Sequence, residues 1–94
     1  FLEVFLEKVV IDFDSIKKGL ILAEAEENHV DWRSHSHILI SVAGAIGAAN
    51  LQHLAQHLNV AANACDKQTA QPLNLECIDA ISKVVAFLNN EKTG

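Results

Sequence analysis

Four times along this chain apolar side chains recur at steps of three and four residues, and no segment alternates apolar and polar in twos. That spacing places side chains on one face of an α-helix and excludes a half-buried strand. The first stripe is Leu2, Phe5, Val9, Phe13, Ile16, Leu20 and Ala23, with Glu3, Glu7, Lys8, Asp14, Lys17 and Lys18 largely off it. The second is Trp32, His35, Leu39, Val42, Ala43 and Ile46, and the third Leu51, Leu54, Ala55, Leu58, Ala61 and Ala62. The fourth is Leu73, Cys77, Ile81, Val84 and Leu88, ahead of the polar tail NNEKTG.

The punctuation agrees with four helices. Asn28 is a good N-cap, and Asp31 three residues later suits a first turn, so a second helix is expected over about 30–46. Gly47 then closes it at the C′ position. Pro72 is expected in the first turn of the fourth helix. Four amphipathic helices with short connections give, by default, an all-α, antiparallel up-down four-helix bundle. With 94 residues, 50% of them hydrophobic, the chain is long enough for one domain with its own core. It opens on FLEVF, already in helical pattern, so an excised or N-terminally truncated domain is among the expectations.

Seven Lys and Arg against twelve Asp and Glu, a net charge of −5, argue against nucleic-acid binding, which rests on a basic footprint. No apolar run approaches the roughly 20 residues that cross a bilayer, and no signal peptide is read, so no membrane span is expected. Cys65 and Cys77 have neither CxxC nor zinc-ligand spacing. Both are expected as small buried hydrophobes in a reducing compartment.

Two histidines two residues apart, His35 and His37, precede a run poor in side chain, HILISVAGAIGA. Residues two apart on a helix point nearly opposite ways. His35 falls on the inward stripe and is expected in or beside the core. His37 shares its face with Arg33, Ser34, Ile40, Ser41 and Gly44, so its imidazole should stand above an almost bare surface that another protein can approach.

The run from His37 to Ala48 resembles the phosphoacceptor segment of histidine-containing phosphotransfer (HPt) domains. That family's His-x-Leu-Lys-Gly is followed by small residues and a glycine that ends the helix. Here His37, Leu39, Val42, Ala43, Gly44, Ile46, Gly47 and Ala48 fall in register, and the segments LEVFLE and NLQHLAQHLNVAANA resemble the helices before and after the motif. The likeness thus spans nearly all of residues 1–94 as a single domain. Two positions depart from the pattern: Ile40 stands where the family has Lys, and Ser41 where it has Gly. The absent Lys ordinarily offers positive charge to the phosphoryl oxygens. Arg33, one turn before His37, is expected to supply part of it.

The resemblance implies a cytoplasmic phosphorelay intermediate in two-component signalling, a phosphocarrier rather than a true enzyme. His37 would accept a phosphoryl group from a receiver-domain aspartate and pass it to another, with Ile40, Ser41 and Gly44 forming the partner surface. The partners implied are response-regulator receiver domains or a hybrid sensor kinase. No cofactor is expected on this chain, since Mg²⁺ belongs to the receiver, and a monomer keeps the His37 face open. An imidazole suits the role because its unperturbed pKa of about 6.5 leaves much of it neutral and nucleophilic near pH 7.

Three other readings compete. An HPt-like module could dock receivers or kinases without efficient transfer, a possibility raised by Ile40. Residues 51–68 imitate a helix-turn-helix, but Lys67 would be the only basic residue of its recognition helix, with Asp66 beside it. His53 and His57, one turn apart, have a spacing that chelates Zn²⁺ or Ni²⁺. The sequence shows no third ligand, no HExxH and no nearby carboxylate, so solvated surface with no metal is the expectation. His29 is expected in a loop or first turn.

Overall fold

Each stripe becomes a helix: α1 spans Leu2–Glu26, α2 His29–Ala45, α3 Ala49–Asn63 and α4 Lys67–Thr93. The computed structural model describes the backbone over residues 2–93 and the side chains over 4–28 and 30–90. No strand occurs among the described residues. α2 packs against α1 and α3, and α4 closes against α3 and α1. The principal extents are 41 × 22 × 17 Å. The longest equals the length of α4, whose 27 residues rise about 1.5 Å each.

Burial follows the stripes closely. Val9, Phe13, Ile16, Leu20 and Ala23 of α1 meet Trp32, Leu39 and Ala43 of α2 in one core. Leu51, Ala55, Leu58, Ala61 and Ala62 come from α3, and Ala70, Cys77, Ile81 and Leu88 from α4. Phe5, expected inward, is 43% exposed; Leu2 lies outside the described side chains. Among the described residues no helix is long and apolar enough to cross a membrane.

The Asn28 carboxamide caps α2 as expected, its Oδ1 accepting from the Val30 and Asp31 amides at 3.0 and 3.3 Å. His29 opens the helix, and its side chain is outside those described. Pro72 departs from expectation. α4 starts five residues earlier than Pro72, at Lys67, so the proline sits inside the helix. The reason is an N-cap at Asp66. Its Oδ2 accepts from the Thr69 hydroxyl at 2.6 Å and its Oδ1 from the Thr69 amide at 3.2 Å. The Thr69 hydroxyl and then its amide hold the Asp66 carboxyl below the usual carboxylate range.

Three helix ends share one closing geometry. At Gly47, φ is +74°, its amide donates to Gly44 O at 3.2 Å and the Ala48 amide to Ala43 O at 2.9 Å. This is the Schellman pattern, with the left-handed residue at C′. Glu27 (φ 51°) ends α1 and Cys65 (φ 56°) ends α3 in the same way. Only the glycine announces itself in sequence. Cys65, expected buried, is exposed because it occupies this turn. A Cβ in the left-handed region is strained by about 1 kcal/mol. Cys65→Gly is therefore expected to raise the melting temperature by several degrees in calorimetry, about 0.5–1 kcal/mol.

Candidate functional site around His37

The buried line of α2 is Trp32, Ser36, Leu39 and Ala43, all 0% exposed. Steps of four, three and four make it a narrow seam, and it fixes the aim of every other side chain on the helix. His35 is half-buried on the α1 side, where its ring lies over Gly19; a Cβ at that glycine would overlap the imidazole. His37 is exposed on the α3 side. The two histidines are thus divided as the helical spacing requires, although the residue at the centre of the inward face is Ser36 and not His35.

His37 shares an open depression of about 340 Å³ with Arg33 and Ser34 of α2 and Asn59 and Asn63 of α3. The α3 residues are held by a chain of hydrogen bonds. Asn59 Nδ2 donates to Arg33 O at 3.2 Å and to Ser36 Oγ at 3.1 Å. Ser36 Oγ donates in turn to Arg33 O at 3.1 Å, and Asn63 Nδ2 donates to Asn59 Oδ1 at 3.1 Å. These bonds satisfy the buried Ser36 hydroxyl, which would otherwise destabilise the core. They also fix the α2–α3 crossing beside the imidazole.

The other residues singled out on this face are placed unequally. Ser41 and Gly44 are exposed. Ile40, expected to be exposed beside His37, is half-buried and packs against the core. Its carbonyl accepts from Gln52 Nε2 of α3 at 3.3 Å. A Cβ on Gly44 would lie 2.6 Å from that same nitrogen. The missing side chain at Gly44 thus makes room for Gln52 as well as leaving the surface low.

Arg33 is exposed, and its guanidinium forms no ion pair among the described residues, whereas Lys8, Lys18, Lys67 and Lys83 each pair with a carboxylate. An unpaired cation beside an exposed imidazole suits an anion, and guanidinium binds phosphate oxygens in a fork. Ser36, Asn59 and Asn63 were not legible as part of this site. The signal for Ser36 was its four-residue spacing from Trp32, which a hydroxyl masks in an apolar count. Thiol chemistry has no place in the core, where burial and then the charge of Glu76 push Cys77 up to about 12.

No protein-family model matches the chain, and no curated protein or solved structure shows significant similarity to it.

Proposed function

We propose that the chain is a phosphorelay intermediate of the HPt type, an antiparallel up-down four-helix bundle that carries a phosphoryl group on His37. The observation that carries the reading is the exposed His37 on α2, with Arg33, which forms no ion pair among the described residues, one turn away and a low surface at Ser34, Ser41 and Gly44. The lone pair of the neutral imidazole attacks phosphorus on a receiver's aspartyl phosphate. The N–P bond forms as the P–O bond to the aspartate breaks, and the carboxylate leaves with that electron pair. The second transfer reverses these roles on another receiver. Such transfer runs through a loose, in-line transition state, so positioning and charge neutralisation are the protein's contribution. Mg²⁺ and the acidic pocket are the receiver's.

The test mixes the domain with phosphorylated receiver domains and follows acid-labile label onto His37. Arg33→Ala should slow transfer about tenfold or more and shorten the phosphohistidine lifetime, because a charge-assisted contact to the phosphoryl oxygens is lost. Unchanged kinetics would remove Arg33 from the mechanism. The second reading, a module that docks receivers without efficient transfer, rests on Ile40, which stands in the family's lysine position and packs inward. A receiver complex that forms without label on His37 would favour it.

A further inference from the structure

On the edge of α3 that faces α4, His53 and His57 stand one turn apart and exposed. Their ring centroids are 5.8 Å apart, with the rings nearly perpendicular at 83°. Two imidazoles sharing one tetrahedral ion, with N–metal bonds of about 2.0–2.1 Å, have centroids roughly 5 Å apart. A small rotation of either side chain closes that difference. The sequence offered this pair no carboxylate, and the fold supplies two. Glu76 and Asp79 of α4 line the same open groove as both histidines. Asp79 Oδ2 pairs with Lys83 Nζ at 3.0 Å, and Lys83 lines the groove too, whereas Glu76 forms no ion pair among the described residues.

We infer that His53, His57 and Glu76 form a binding site for a borderline transition-metal dication such as Zn²⁺, which ties α3 to α4. Among the described residues no three ligating side chains are already gathered around one point. The histidine pair therefore binds first, and Glu76 turns in to complete the site with water as the fourth ligand. Neutral imidazole and carboxylate together suit Zn²⁺ and related ions and disfavour Mg²⁺, which prefers an all-oxygen shell. An ion bound only by the folded state raises its melting temperature by mass action.

The experiment titrates the whole chain with ZnCl₂ by calorimetry, with MgCl₂ in parallel, and follows melting temperature and the imidazole resonances. One Zn²⁺ per chain is expected, with shifts confined to His53 and His57 and a rise in melting temperature. His53→Ala and His57→Ala should each weaken binding about tenfold or more, because the chelate is lost. Glu76→Gln should weaken it severalfold and reduce the thermal shift, while His37→Gln and Cys65→Ser leave it intact. The altered residues are all on the surface, and circular dichroism verifies that each variant is folded. The inference fails if excess Zn²⁺ gives no heat, if Mg²⁺ binds equally, or if Glu76→Gln matches the unaltered chain. It also fails if uptake survives His53→Ala/His57→Ala or disappears with Cys65→Ser.

Discussion

His37→Gln is expected to lose all acid-labile phosphoryl label from a phosphorylated receiver, while His35→Gln keeps it. The contrast follows from the aim of the two rings. His37 is exposed at the α2–α3 edge beside Arg33 and Asn63. His35 is half-buried over Gly19, where no receiver aspartate could reach in line. Glutamine retains a polar side chain of similar reach at position 37 but has no nucleophilic nitrogen. The loss is therefore complete rather than partial. Circular dichroism should be unchanged in the His37 variant, since its side chain makes no core contact. The His35 variant is expected to melt lower through lost packing against α1. Label persisting in His37→Gln would refute the proposed phosphoacceptor, and label lost only in His35→Gln would reassign it.

The helices were legible because burial imposes a period on the sequence, and Phe13, Leu39, Leu58 and Ile81 mark that period without ambiguity. Asn28 and Gly47 were legible for a different reason: a cap and a left-handed turn each demand a narrow set of residues. Where the demand is met by an unusual residue, the sequence goes quiet. Cys65 and Glu27 occupy left-handed positions that glycine normally fills. Asp66 caps α4 so firmly that Pro72 is carried inside the helix instead of starting it. An isolated proline reading could not weigh that competing cap.

The candidate site divides along the same line. His37, Arg33, Ser41 and Gly44 sit on one helix, where spacing alone fixes a shared face. Asn59 and Asn63 reach it from α3, and the contact depends on how two helices cross, which no single periodicity encodes. Ile40 shows the limit from the other direction. Its position three residues after His37 suggested exposure, but the seam through Ser36 and Leu39 turns it toward α3, and it is half-buried. The family's lysine at that position could reach solvent by extending its stem along the groove. A branched isoleucine cannot, so under the proposed function the positive charge beside the phosphoryl group would come from Arg33 or from the partner.

Ser41→Leu separates a docking requirement from a chemical one. Ser41 lies one turn beyond His37, is exposed, and belongs neither to the core nor to the Asn59 hydrogen-bond chain. Leucine there favours the helix and leaves stability nearly unchanged. It adds bulk on the surface that, under the proposed function, a receiver approaches to bring its aspartyl phosphate within attack distance of the imidazole. A misplacement of about 1 Å can cost on the order of 10²-fold in rate. Transfer from phosphorylated receiver is accordingly expected to fall about 100-fold or more. A small donor such as phosphoramidate needs no docking surface and should still label His37 at the unaltered rate. Gly44→Leu is the less clean version of this test, because its side chain also displaces Gln52 from the Ile40 carbonyl. If Ser41→Leu accepts phosphoryl groups from the receiver at full speed, the bare surface is not a docking clearance. The small residues after His37 would then be explained by the close α2–α3 approach alone.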